Sequence, residues 1–121
     1  MIKNIKSSEI KSFIENNPKT VLLDVRTEDE WNTIGKPDTK DLGIESFFIT
    51  ISQDFNFVEN VKKKIDIKNQ ILVMCAAGGR SMIAAKILMN EGYEVHNVSD
   101  GFSGNNEDLG WKNSGLPFNN S

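Results

Sequence analysis

The sequence holds one cysteine and one histidine among 121 residues. A lone cysteine excludes an intramolecular disulfide framework and a Cys-x-x-Cys redox pair. With a single histidine, no Cys/His cluster can form a structural zinc site, so neither a metal nor a cofactor is expected. No apolar run approaches the ~20 residues that a membrane helix needs. Residues 1–15 mix lysines with isoleucines where a secretory signal would be continuously apolar. These absences lead to the expectation of a cytoplasmic protein. The formal net charge is −3 and no basic run occurs, so no nucleic acid and no membrane is expected as a partner. A basic pocket for a small anion is compatible with that balance, because net charge does not describe one site.

Hydrophobic residues make up 38% and charged residues 26% of the chain, the balance of a soluble globular domain rather than a disordered one. The length suits one domain, residues 1–121, since a second would have too little chain for its own core. Ser7 or Ser8 is a plausible cap for a short helix over 9–16, with Ile10, Phe13 and Ile14 on one face. The run 21–25 (Val-Leu-Leu-Asp-Val) suits a strand buried on both faces. Thr27 can cap a further helix whose first turn carries Glu28, Asp29 and Glu30, where negative charge is favourable. Gly35, Pro37 and the polar residues to Asp41 read as a loop. Residues 47–51 are β-rich, and Phe55, Val58 and 61–65 suggest a helix ending near Asp66. A second buried strand spans Gln70–Met74, a helix 80–91 ends at Gly92, and 95–98 forms a last strand before a turn at Asp100 and Gly101. Alternating strands and helices argue for an α/β domain with a mainly parallel sheet and helices on both faces. In such sheets ligands bind beyond the carboxyl ends of the strands, and Cys75 stands at such an end.

The run Cys75-Ala76-Ala77-Gly78-Gly79-Arg80-Ser81 delivers a thiol to a strand tip, curls a small-residue loop around it and begins a helix. Inward amides and the positive helix end favour an anion there and should lower the thiol pKa below its free value of about 8.5. Glycines permit the positive φ and close approach such a loop needs. Most cysteines at strand ends are inert core residues, but that reading leaves the Ala-Ala-Gly-Gly-Arg context unexplained.

The same run resembles the active-site loop of the rhodanese-like sulfurtransferase family, Cys-x-x-Gly-x-Arg/Thr/Ser. Residues 23–31 (Leu-Asp-Val-Arg-Thr-Glu-Asp-Glu-Trp), followed by Gly35, are similar to its Asp-Val-Arg-x-x-x-Glu-aromatic segment. A weaker match joins residues 97–102 and Trp111 to its Gly-Gly turn and tryptophan. The resemblance implies a rhodanese-like α/β fold with a mainly parallel five-stranded sheet. It also implies transfer of sulfane sulfur from a donor such as thiosulfate or polysulfide to a thiophilic acceptor, through a persulfide on Cys75. The partners implied are a small sulfur-donor anion and a thiol or protein acceptor. Amides of Ala76, Ala77, Gly78, Gly79, Arg80 and Ser81 would stabilise the sulfur anion. Arg80 would bind an anionic donor or hold the loop, and Ser81 would cap the helix and offer its hydroxyl. Asp24, Arg26 and Glu30 either shape the pocket or form a charge-paired brace, and we favour the brace.

The chain departs from the family in three places. Gly35-Lys36-Pro37-Asp38 stands where Gly-His-Ile-x-Gly-Ala is common, Ala76 replaces a larger and often basic residue, and Asp100 replaces a glycine. Ala76 implies a less basic, more open cup. His96 is read as a structural residue, and Trp31 and Trp111 as packing residues. Two other readings compete: a low-turnover sulfur-relay or protein-binding module, and a cysteine phosphatase or arsenate reductase. The phosphatase loop is Cys-x5-Arg, whereas here four residues separate Cys75 from Arg80, a smaller cup.

Overall fold

The two most apolar runs of the sequence lie side by side at the centre of the molecule. The computed structural model describes residues 2–52 and 55–120, and only the backbone of Phe55. The side chain of Phe55, placed by periodicity on a helix face, lies outside the described residues. In chain order the elements are β1 (Lys3–Ile5), a 3-10 turn (Ser7–Glu9), α1 (Ile10–Asn16), β2 (Thr20–Asp24), α2 (Glu28–Thr33) and β3 (Lys36–Pro37). A second 3-10 turn (Lys40–Leu42) follows, then β4 (Ser46–Phe48), α3 (Phe55–Lys64), β5 (Gln70–Met74), α4 (Gly79–Asn90), β6 (Glu94–Val98), α5 (Gly110–Asn113) and β7 (Phe118–Asn119).

Five strands form one parallel sheet in the order β1-β6-β5-β2-β4. The central pair, β2 and β5, is apolar on both faces and is covered on both, as a parallel sheet requires. One face (Val21, Leu23, Ile71, Val73, Val95) packs on α3 through Phe57, Val61 and Ile65, and on α4 through Ala84, Ala85 and Leu88. The other (Leu22, Leu72, Met74, Val98) packs on Ile10 of α1, on Phe102 and on Trp111 of α5. Trp111 is fully buried, and its indole Nε1 donates to the Pro117 carbonyl at 2.7 Å. The C-terminal segment thus packs back on the domain as expected.

Three local expectations are revised. Residues 3–5 form an edge strand on β6, although three residues carry too little alternation to signal one. Ser7 caps nothing: it is buried, and both its amide and its hydroxyl donate to Asp100 Oδ1 at 3.0 and 2.9 Å. The loop after α2 contains β3, which pairs antiparallel with β7 at the far end of the chain.

β2 and β5 run in register from Thr20/Gln70 to Asp24/Met74, so their carboxyl ends coincide beside Cys75. Asp24 and Arg26 close that end. Both side chains are wholly buried, with Arg26 Nη2 2.8 Å from Asp24 Oδ2 and Nε 3.0 Å from Oδ1. Nη2 also donates to the Gly35 carbonyl at 2.9 Å, and the guanidinium lies 4.2 Å from the centroid of the Phe102 ring. This pair fastens the exit of β2 to the loop after α2. Removing one member would leave a buried charge without its counter-ion. Arg26→Ala is therefore expected to lower unfolding free energy by about 3–5 kcal/mol, read from urea denaturation followed by tryptophan fluorescence.

Candidate active site

Cys75 directly follows β5, and the chain turns there: Gly78 has φ +105, a left-handed conformation that a side chain would strain. A Cβ at Gly78 would also lie 2.3 Å from the Ser99 carbonyl oxygen. The loop folds back on itself, and α4 starts at Gly79. The carbonyls of Cys75 and Ala76 are held by the amides of Phe102 and Ser103 at 2.8 and 2.9 Å. Peptide N–H groups are left to face the sulfur. The Gly78 amide donates to Cys75 Sγ at 3.1 Å, and the amides of Ala77 and Ser81 also interact with it.

The Ser81 hydroxyl lies 3.3 Å from Cys75 Sγ. Its one proton is already engaged. Asn97 Nδ2 donates to Asn4 Oδ1 and to the Gly78 carbonyl, so Asn97 Oδ1 faces Ser81 and accepts from its hydroxyl. Towards a neutral thiol, Ser81 is therefore an acceptor. Ser81 is not the helix cap, a position held by Gly78.

Burial of Cys75 raises its pKa, but the hydrogen bonds of the Ser81 hydroxyl and of the Ser81, Ala77 and Gly78 amides outweigh it, and the thiol lies below its ordinary value. The residue is 1% exposed. The cup is closed around the sulfur and not open as Ala76 implied. Ala77 and Gly79 are the exposed residues of the loop, and a Cβ at Gly79 would meet nothing within 4 Å.

Arg80 does not reach into the cup. Its Nη1 and Nη2 donate to Glu30 Oε1 and Oε2 at 2.6 and 2.8 Å. Glu30 is itself fixed at the start of α2, where its carboxylate accepts from the Thr27 amide and its amide donates to the Thr27 hydroxyl. The Arg80 hydrogen bonds, against a smaller cost of burial, take the Glu30 carboxyl down to about 2. Asp24 and Arg26 bond each other below the loop, and Glu30 bonds Arg80 at its rim, so the three upstream residues form two separate ion pairs. Asp100 is buried beside the loop, and its Oδ2 accepts from the Gly110 amide at 3.0 Å. Asn97 and Asp100 carried no signal as site residues, since one sits in a strand and the other in a turn. His96 packs edge-on against Phe13, with ring centroids 4.8 Å apart, and burial lowers its pKa.

The chain matches the model of the rhodanese-like domain over residues 7–108. It is 38% identical to the uncharacterized protein RP600 of Rickettsia prowazekii, over 98% of each chain. It is 31% identical to thiosulfate sulfurtransferase 18 of Arabidopsis thaliana, over 94% of this chain and 87% of that one. Among solved structures, Rv0390 from M. tuberculosis superposes with a TM-score of 0.84 at 29% identity, covering 98% of each chain. The polysulfide-sulfur transferase homodimer of Wolinella succinogenes shares the fold with a TM-score of 0.75 at 23% identity, over 99% of this chain and 80% of that one.

A thiol pKa below its unfolded value favours the folded state above the unfolded pKa, and the contribution is lost as pH falls through the folded pKa. Alkylation by iodoacetamide is thus expected to show its inflection below the free-cysteine value of about 8.5. Ser81→Ala removes a hydrogen bond to the anion and should move the inflection upward, slowing alkylation at pH 7 by roughly three- to tenfold. A pH series of alkylation rates on the two proteins checks both expectations.

Proposed function

Given that the chain belongs to the rhodanese-like domain family, we propose that it is a sulfurtransferase that carries sulfane sulfur as a persulfide on Cys75. The observation that carries this reading is the convergence of peptide amides and one hydroxyl on a single sulfur at a strand-to-helix junction. Such a cradle stabilises a thiolate and, equally, the terminal sulfur anion of a persulfide. With thiosulfate as donor, the Cys75 thiolate attacks the outer sulfur, the donor S–S bond breaks, and its electron pair leaves with sulfite. The persulfide then gives its outer sulfur to an acceptor such as cyanide or a thiol, and the thiolate returns. Net charge balances in both half-reactions, and no histidine base is needed once the thiol is ionised. The donor would enter past Ala77 and Gly79, the exposed side of the loop.

The phosphatase reading is disfavoured by the arginine. A phosphoryl group needs a guanidinium free to grip its oxygens, whereas both terminal nitrogens of Arg80 are engaged by Glu30. A low-turnover relay with a protein acceptor uses the same persulfide and differs only in its second half-reaction.

Intact-mass analysis after treatment with thiosulfate or polysulfide is expected to show one added sulfur atom per chain, absent in Cys75→Ser. Subsequent cyanide should release thiocyanate. Phosphate release from an aryl phosphate with no sulfur uptake would overturn the proposal.

A further inference from the structure

A thiosulfate donor brings two negative charges toward a cysteine that reacts as an anion. A free cation at the mouth of the cup would offset that repulsion. Arg80 is placed for the task, since its charge interacts with that of Cys75, but that charge is already paired with a carboxylate. Nη1 and Nη2 form a two-point pair with the Glu30 carboxylate. Glu30 cannot easily swing away, because the Thr27 amide and hydroxyl hold the same carboxylate at 3.2 and 3.1 Å. The neighbouring loop positions, Ala76 and Ala77, bring no charge. The loop from Ala76 to Ser81 therefore brings no unpaired side-chain charge to the cup.

We propose that Glu30 sets donor specificity: by neutralising Arg80 it disfavours dianionic donors such as thiosulfate and leaves the cup suited to sulfane sulfur borne on a thiol, an alkyl persulfide. The assignment rests on the sulfur-transfer reading of Cys75. In the step it favours, the Cys75 thiolate attacks the outer sulfur of R–S–SH. A bond forms between Cys75 Sγ and that sulfur, the donor S–S bond breaks, and its electron pair leaves on R–S⁻, giving Cys75–S–SH. The reacting end of such a donor carries at most one negative charge, and none in the protonated form that is attacked, against two on thiosulfate, so it depends less on a cation to bring it in. Glu30 acts through Arg80 and is a positioning residue.

The test compares thiosulfate with cysteine persulfide as donors, following sulfur loading of Cys75 by rapid-quench mass spectrometry. In the native protein cysteine persulfide is expected to load at the lower KM. Glu30→Gln releases Arg80 and should lower the KM for thiosulfate about tenfold, the effect of one charge on a dianion some 6 Å away in a water-like dielectric. The limiting rate should change much less, and the ratio of the two specificity constants should shift toward thiosulfate. Glu30 also caps α2, so thermal unfolding of each variant is measured alongside. The double variant Glu30→Gln/Arg80→Gln, equally uncapped but without the freed cation, should lose the gain. An unchanged thiosulfate KM in Glu30→Gln, or a gain that persists in the double variant, overturns the assignment while leaving sulfur transfer intact. Failure of both donors to load the native protein overturns sulfur transfer itself, and the assignment with it.

Discussion

Every peptide unit offers an N–H and a C=O in opposite directions, so amides can converge on an anion only if the matching carbonyls are satisfied elsewhere. In this protein the turn after β6 meets that demand. Phe102 and Ser103 donate to the Cys75 and Ala76 carbonyls, and Asn97 donates to that of Gly78. The contact is so close that side chains are excluded: a Cβ on Gly101 would lie 2.4 Å from the Ala76 oxygen. The turn is in turn held by Asp100, whose carboxylate gathers the amides of Ser7 and Gly110. Three segments far apart in the chain thus meet around one carboxylate to orient one loop.

The elements legible in the sequence are those with a strong local signal. The bounds of β5 are legible because an unbroken apolar run ends at a cysteine followed by small residues, and the start of α2 because Thr27 caps a first turn of acids. The two-residue strands β3 and β7 were not legible, since their pairing joins positions more than eighty residues apart. In the site, Cys75 and its glycines stood out by residue type and spacing. The bonds of Ser81 to Asn97 and of Arg80 to Glu30 did not, because they depend on which side chains the sheet order brings together. Asp100, which stands where the family usually has a glycine, takes on a bracing role through its carboxylate.

Two arginines illustrate how differently one charge can be used. Arg26 is sealed in the interior, paired with Asp24 and stacked on Phe102, where its counter-ion is a condition of being buried at all. Arg80 is 39% exposed and its pair with Glu30 touches water, so it contributes little to stability. Its importance lies in the potential at the rim of the cup. The sequence places both acids within a few residues of each other, but the fold sends one inward and the other to the loop.

The clasp at Asp100 has a further implication for the chemistry of the unfolded chain. Because the sulfur's surroundings are supplied by residues 77–81, 97 and 99–103 together, and the last of these are ordered by contacts to residues 7 and 110, an isolated peptide carrying the loop alone would ionise like any free cysteine. The lowered pKa is thus a property of the assembled domain, and the ionisation of this one thiol reports whether tertiary structure is present.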